Sequence, residues 1–414
     1  MNYDIVLERI KPSKKEHEDA LGTYNAIASF IKKAYGNETI LVGSVAKDTF
    51  LRGDMDLDIF VFFDPYICRE ELESKGLIIG RGVFEHYDSP ARVEYAEHPY
   101  LSGTINGIDV EIVPCYKLDA GNTIISAVDR TPFHLKYILN NLKGRQKDEV
   151  RLLKRFLKAQ KLYGADSRTN GFSGYLCELL ICKYGTFENL VKSALGWDNG
   201  KRITFQPANK HFEDPFIVID PVDASRNVAS AVTSNTFSLF IDACHRFVET
   251  WDATMFEGPF KGYCPCNPER VVVVEVEAGD IHEDAFFSQA RRLSNHIRKV
   301  AESYGFSFFR TGIYDDGMIF DMEISTLPLL KKHMGPSVME YQSVQYFKKK
   351  NNATFIEYGK IYSIKDRIFT DIIDVIDDII KKKSGMGTHF RCANYSIYEC
   401  EEALELLAEQ IVYY

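Results

Sequence analysis

Leu41-Val-Gly-Ser-Val-Ala-Lys-Asp-Thr-Phe-Leu-Arg-Gly-Asp-Met-Asp-Leu-Asp-Ile-Phe-Val-Phe-Phe63 is the stretch on which the fold turns. An apolar run, Ile40 to Val42, breaks at Gly43-Ser44, and a β-rich run follows in which Asp56 and Asp58 precede Ile59-Phe60-Val61-Phe62. Residues two apart on a strand share a face. Asp56 and Asp58 are therefore expected on one patch, with Leu57, Ile59 and Val61 on the opposite side. Two carboxylates forced together repel unless a cation sits between them. Oxygen-only ligands suit a hard ion, Mg²⁺ first. Gly43 permits a tight turn and close backbone approach, and Val45 to Leu51 are expected to open a helix. Free N–H groups at a helix start cradle phosphate, and Ser44 and Lys47 add a hydroxyl and a charge. Together the pieces predict a place for a metal-bound triphosphate.

The chain has 414 residues, 45% hydrophobic and 26% charged, an ordinary globular composition that argues for roughly two to four domains. No apolar run approaches the roughly 20 residues of a membrane span. The first residues lack the apolar segment of a signal peptide, so the expectation is a soluble, cytoplasmic protein. Nine cysteines (68, 115, 177, 182, 244, 264, 266, 392, 400) include no Cys-x-x-Cys pair. No His cluster has zinc spacing either. Cys264-Pro-Cys266 comes nearest and reads as structural, so reduced thiols are expected. The net charge of −9 has the wrong sign for a simple coat on nucleic acid. RNA binding must then come from local patches.

Gly-Ser, a short helix and acid-x-acid on a strand, in that order, resemble the nucleotidyltransferase superfamily signature. Upstream, residues 3 to 36 read as helix with a break near Lys11-Pro12-Ser13, and Ser13 with Glu16 marks a helix start. Residues 64 to 90 read as a surface helix and loop. Val93 to Ile105 then meets Ile108 to Val113 across Asn106-Gly107, the strongest short hairpin signal. Ile108, Val110 and Ile112 are expected to face the core, leaving Asp109 and Glu111 on the other face. Either acid could be the third carboxylate of a phosphoryl-transfer site.

Ile112-Val-Pro-Cys-Tyr116 resembles the Val-Val-Pro-Cys-Tyr stretch of class I (archaeal-type) CCA-adding tRNA nucleotidyltransferases. In that family the third carboxylate immediately precedes this stretch, which here is Glu111. The family usually has Glu-x-Asp and Asp; this chain has Asp-x-Asp and Glu. Arg130-Thr-Pro-Phe-His134 opens a helix with Pro132 in its first turn, and the resemblance implies nucleotide contacts from Thr131 and His134. Residues 143 to 161 carry eight Lys/Arg against two acids. Val150, Leu153, Phe156 and Leu157 are expected as the buried stripe, with Arg151, Lys154, Arg155 and Lys158 largely on the other surface. The resemblance puts Lys154 and Tyr163 on the triphosphate. Gly171 to Leu180 matches the family closely and is expected to frame the cleft.

Phe216 to Ala229 reads as a strand and a turn into a helix running to about Glu249, with Asp223 or Ser225 as cap. That places Arg226 at a helix start, and the resemblance gives it contact with the incoming base. Glu97-His98, before Pro99, matches a family element near the growing 3′ end. From Arg270 a strand (Val271 to Val276), a helix (283 to 304) and two strands (306 to 309, 318 to 324) suggest a small α+β sheet, with Phe308, Phe309 and Tyr314 in its core. Leu327 to Pro336 and Phe347 to Lys350 read as basic, loop-rich RNA contacts. Helix 366 to 380 has an Ile stripe at 368, 372, 376 and 379. It ends in Lys381-Lys-Lys-Ser-Gly385, which the helix dipole explains.

The expected architecture is α+β. A catalytic palm with a mixed sheet (1–135) precedes a central helical domain (136–258) and a C-terminal α+β RNA-binding region (259–414). The resemblance implies template-independent addition of C, C and A to tRNA from CTP and ATP. It places two Mg²⁺ ions on Asp56, Asp58 and Glu111, and the triphosphate on Gly43, Ser44, Lys47, Thr131, His134, Lys154 and Tyr163. Expected partners are tRNA, CTP and ATP, with a homodimer admitted and no membrane. A poly(A) polymerase or oligoadenylate synthetase would share the palm, and a catalytically silent tRNA-binding protein the fold.

Overall fold

The computed structural model describes residues 3–95, 97–118, 125–126, 128–257 and 271–400. The chain forms two compact units, Met1–Phe260 and Lys261–Tyr414. The Cys264-Pro-Cys266 pair lies outside the described residues, and the other seven cysteines are free thiols. No described helix is long and apolar enough to cross a membrane.

The first unit opens with α1 (Asp4–Ile10) and α2 (Lys14–Tyr35). The break between them is where Ser13 caps α2, in a capping box completed by Glu16. Then come β1 (Thr39–Leu41), α3 (Gly43–Lys47), β2 (Asp56–Phe63), α4 (Arg69–His86), β3 (Ala91–Tyr95), β4 (Pro99–Ile105) and β5 (Ile108–Tyr116). The five strands form one sheet in the order β1-β2-β5-β4-β3. It is mixed: β2 and β5 run parallel, and the other neighbours are antiparallel. Asn106 and Gly107 both have positive φ, 55° and 77°, as a type I′ hairpin requires.

Leu57, Ile59, Val61, Val110 and Ile112 bury one sheet face with Ile27 and Ile31 of α2 and with Ile79 and Val83 of α4. The expected surface helix after Asp64 is thus a packed one. Pro114 lies so close to Gly76, and Leu101 to Gly80, that a Cβ at either glycine would sit within 3 Å of them. On the other face Phe60, Val113 and Cys115 pack with Leu135, which belongs to α5 (Thr131–Asn141). The end of that face bearing Asp56, Asp58 and Glu111 is left uncovered by this cluster.

The remaining elements of the first unit are α6 (Gln146–Ala159), α7 (Gly174–Tyr184), α8 (Phe187–Ala194), β6 (Lys201–Ile203), β7 (Phe216–Val218) and α9 (Ser234–Thr250). Phe156 is fully buried among Phe187, Phe247 and Phe256, with ring centroids 5.3 to 5.9 Å away. Two expectations change here. Arg151 and Lys154 of α6 are both 2% exposed, not on the outer surface. Asp148 of the same helix and Asp48, Thr49 and Phe50 of the palm supply their polar partners, so an apolar stripe alone misjudges the helix. The helix after β7 begins at Ser234, capped by Thr233. Asp223 and Ser225 instead form a local turn, in which Asp223 accepts from the Ser225 hydroxyl at 2.6 Å.

The second unit runs β8 (Val271–Glu277), α10 (Glu283–Tyr304), β9 (Ser307–Tyr314), β10 (Gly317–Ile324), β11 (Leu330–Ser337), α11 (Tyr341–Lys350), β12 (Thr354–Glu357), β13 (Lys360–Asp366), α12 (Ile372–Lys381) and β14 (Asn394–Glu399). A four-stranded sheet, β14-β8-β10-β9, shares its core with α10 and α12. Phe308 and Tyr314 are buried as expected, but Phe309 is half exposed because alternation along β9 turns it outward. The basic stretch expected as loop is strand β11, paired with β13, and Lys348 to Lys350 close α11. The last helix begins at Ile372, so Ile368 lies outside its stripe and is exposed. Lys381 and Lys382 pair with Asp377 and Asp378 one turn back, in keeping with a structural role for the lysine run.

Phe156→Ala should cost about 3–5 kcal/mol by opening a cavity among three rings. Urea denaturation checks this: the midpoint should fall with the slope unchanged.

Candidate active site

Parallel pairing of β2 with β5 aligns Asp56 with Asp109 and Asp58 with Glu111. Paired residues of neighbouring strands share a face, so the sheet brings four acids together. Their surroundings separate them. Asp109 is exposed and accepts from the Thr104 hydroxyl at 2.9 Å. Glu111 is half-buried beside Asp58 and takes a long contact, 3.4 Å, from the Tyr100 hydroxyl.

Burial, then repulsion from Asp58 and Asp56, pushes the Glu111 carboxyl up to about 7. Burial and Asp56 push Asp58 up to about 6, although Lys47 and Lys154 pull it back. Asp56 is raised by burial, Asp54 and Asp109. Among the described residues no three such side chains are already closed into a metal-binding group. The donor chemistry nevertheless fits a hard divalent ion: the carboxylates are oxygen-only ligands, crowded against one another. Gly43 adds a steric fit. It has φ +69°, and a Cβ there would lie 1.7 Å from Asp58 Oδ2, so only glycine leaves the carboxylate its place.

Beside the acids, α3 is shorter than the sequence suggests. It stops at Lys47 because Asp48 turns left-handed, φ 56°. Arg151 holds that turn: it donates to the Phe50 carbonyl at 3.0 Å, to the Asp48 carbonyl at 2.8 Å and to the Asp48 side chain. The buried Lys47 ammonium meets Glu178 at 2.7 Å. Glu178 also accepts from the Thr49 hydroxyl at 2.7 Å, and Lys154 donates to the Thr49 carbonyl at 3.0 Å. Burial, more than any neighbour, lowers the Lys154 pKa. Lys47 is thus paired with Glu178 and Lys154 is held by the Thr49 carbonyl, and both ammonium groups act on the Asp58 carboxylate. Lys154 and Tyr163 both approach Gly174 at the start of α7, where a Cβ would lie 3.6 Å from Lys154 Nζ and 3.1 Å from the Tyr163 oxygen. Ser44 and Thr131 are partly exposed at the openings of α3 and α5.

His134 and Arg226 meet on one residue that the sequence reading missed. Asp220 receives both, each at 2.9 Å. Arg226 therefore projects from the turn after β7, not from a helix start. Tyr175 stacks on His134, centroids 4.1 Å apart, and Lys47 Nζ lies over the Tyr175 ring, 5.6 Å from its centroid. Glu178, Thr49, Tyr175 and Asp220 were all unassigned from sequence. A signal for Glu178 existed: it is the acid within Gly171 to Leu180, the stretch expected to frame the cleft.

Glu97 and His98 stand in a separate cluster. Glu97 is exposed and held by Arg69, whereas His98 is 2% exposed and 3.2 Å from Glu73. In this conformation His98 has no surface to offer RNA directly.

A mixed sheet with acid-x-acid on one strand, a third acid on its parallel neighbour and a Gly-Ser turn defines a nucleotidyltransferase. Residues 25–134 match the nucleotidyltransferase domain. Residues 148–257 match the second domain of tRNA nucleotidyltransferases, and 269–401 the C-terminal domain of CCA-adding enzymes. The CCA-adding enzyme of Methanocaldococcus jannaschii is 37% identical, over 91% of this chain and 89% of its own length. That of Methanothermobacter thermautotrophicus is 33% identical, over 94% and 90%. Among solved structures, Cid1, described with RNA terminal uridylyl transferase activity, aligns over 62% of this chain and 96% of its own at 14% identity and TM-score 0.48, too distant to bear on substrate. The chain belongs to the CCA-adding enzyme family.

A pH dependence follows from the raised carboxyls. Their unfolded pKa values are near 4, so the folded state holds these protons more tightly. The stability they contribute is present below about pH 4 and is lost as pH rises through about 6 to 7. Without divalent ions, Asp58→Asn should therefore unfold at a higher temperature than the wild type, by a margin that grows from about pH 5 to about pH 8. Thermal melts in chelator check this, and a margin independent of pH contradicts it.

Proposed function

We infer that this protein adds C, C and A in turn to the 3′ end of tRNA, using CTP and ATP without a nucleic-acid template. The observation that carries the reading is the carboxylate set Asp56, Asp58 and Glu111 facing a buried ammonium pair, Lys47 and Lys154, in a chain of this family. The tRNA 3′ hydroxyl gives up its proton to water and attacks the α-phosphorus, an O–P bond forms in line with the breaking bridging P–O bond, and pyrophosphate leaves. Asp56, Asp58 and Glu111 would hold divalent cations, Mg²⁺ by preference, which when bound neutralise charge on the entering and leaving oxygens.

The chain's own groups do the rest. Lys47 and Lys154 provide fixed positive charge for the triphosphate without the cost of reorganising water. Gly43 and Ser44 give it a close backbone and a hydroxyl, Thr131 and Tyr163 complete its surroundings, and His134 contacts the nucleotide beside Arg226. Arg226 presents a planar donor edge to the base. Glu97 is the surface member of the element assigned to the tRNA 3′ end; His98 would act through Glu73 and Arg69. We assign these roles to three parts, 1–135, 136–258 and 259–414, the last gripping tRNA, in a cytoplasmic enzyme. Sedimentation equilibrium decides whether a homodimer is the working form.

The test uses tRNA lacking its CCA, Mg²⁺ and each labelled nucleotide, alone and combined. CTP should give two additions and ATP one more only after them, and Asp58→Ala should abolish all three. Long A tails without CTP would point to a poly(A) polymerase, and tRNA binding without incorporation to a silent binder.

A further inference from the structure

Asp220 lies just beyond β7 with no exposed surface, and four donors converge on its carboxylate. Oδ2 takes His134 Nε2 and Arg226 Nη1, each at 2.9 Å. Oδ1 takes the Tyr175 hydroxyl at 3.2 Å and the Val222 amide at 2.9 Å. Gln206 donates to its backbone carbonyl at 2.6 Å, anchoring the main chain as well. Burial alone would raise this carboxyl, but the His134 contact, the Val222 amide and Arg226 outweigh it and hold it at about 2. Asp220 is therefore ionised.

An ionised carboxylate can only accept, so each of its contacts must be donated to it. His134 Nε2 then carries a hydrogen. Burial keeps the imidazole below its usual pKa, so at neutral pH the ring is uncharged and its Nδ1 is an acceptor. Tyr175 stacks on the ring with 25° between planes, which fixes its orientation. Arg226 commits Nη1 to Asp220, and its side chain is 34% exposed; the rest of the guanidinium is donor only. One buried acid thus leaves two oriented edges, an acceptor on His134 and donors on Arg226.

That pairing has chemical content. Cytosine and adenine each present an amino donor beside an unprotonated ring nitrogen. Uracil and guanine present a carbonyl beside a ring N–H at the matching edge. Fixed polar groups discriminate strongly between such patterns, because the wrong partner leaves a buried group unpaired. We propose that Asp220 is a positioning residue for nucleobase selection, setting the donor edge of Arg226 and the tautomer of His134 without itself touching the nucleotide. The proposal rests on Arg226 reading the base, as inferred above.

The experiment measures kcat/KM for CTP and UTP on tRNA lacking its CCA, and for ATP and GTP on tRNA ending in CC. Wild type, Asp220→Asn, Tyr175→Phe and Arg226→Ala are compared, with thermal melts in parallel. An amide at 220 turns a donor toward donors. The CTP/UTP and ATP/GTP preferences should therefore fall about tenfold or more, mainly through KM. Tyr175→Phe removes one of the four donors and should lower both preferences about threefold. A merely structural role would lower the melting temperature and leave both preferences intact. If Arg226→Ala loses the preference while folded Asp220→Asn keeps it, this inference is overturned and the base-reading role of Arg226 stands. If neither loses it, the base-reading role fails and this inference with it. Should Asp220→Asn not fold, Tyr175→Phe decides alone: unchanged preferences overturn the proposal.

Discussion

Asp58 and Glu111 sit side by side on parallel strands, and their mutual repulsion is the constraint around which the first unit is arranged. Parallel pairing of β2 with β5 forces the two carboxylates together, and burial denies them water. Such an arrangement persists only if the scaffold is stable enough to carry it. The apolar side of the same strands supplies that stability: Leu57, Ile59, Val61, Val110 and Ile112 are all essentially unexposed. Alternation along a strand separates the two roles, one face for packing and one for charge.

The positive side of the site is built differently. Lys47, Thr49, Lys154 and Glu178 come from α3, the turn after it, α6 and α7, and all four are buried. Breaking such a set by removing one partner leaves an uncompensated charge, which ties these elements together. Arg151 extends the same logic to the turn that ends α3. The site is therefore a junction between palm and helices, and α7 touches both halves of it. Glu178 faces the ammonium pair, while Tyr175, three residues earlier on the same helix face, reaches His134 and Asp220.

Much of this was legible in the sequence, for identifiable reasons. Period-two alternation placed Asp56 and Asp58 on one face and the hydrophobic residues on the other. Ser13-x-x-Glu16 and Asn106-Gly107 located a helix start and a hairpin through local chemistry alone. What failed depended on partners far away in the chain. Arg151 and Lys154 read as surface because an amphipathic pattern cannot see carbonyls and acids about a hundred residues away that bury them. Asp220 was missed because two of its four donors, His134 and Tyr175, come from helices 86 and 45 residues away, although Val222 and Arg226 lie in its own turn. The length of α3 depended on Arg151 gripping Asp48, and β11 read as loop because its lysines and its own Gly335-Pro336 hid a strand paired with β13. Periodicity also could not choose between Asp109 and Glu111; the family resemblance favoured Glu111, and burial beside Asp58 now gives a physical reason.

Everything proposed for the first unit turns on Asp58 and Glu111, with Asp56, forming a divalent-ion site from which Asp109 is excluded. Mn²⁺ binding, followed by electron paramagnetic resonance without any nucleotide or tRNA, tests this most directly. Asp109→Asn should bind like the wild type, whereas Asp58→Asn and Glu111→Gln should each weaken binding by about tenfold or more. Normal binding in Glu111→Gln together with loss in Asp109→Asn would contradict it.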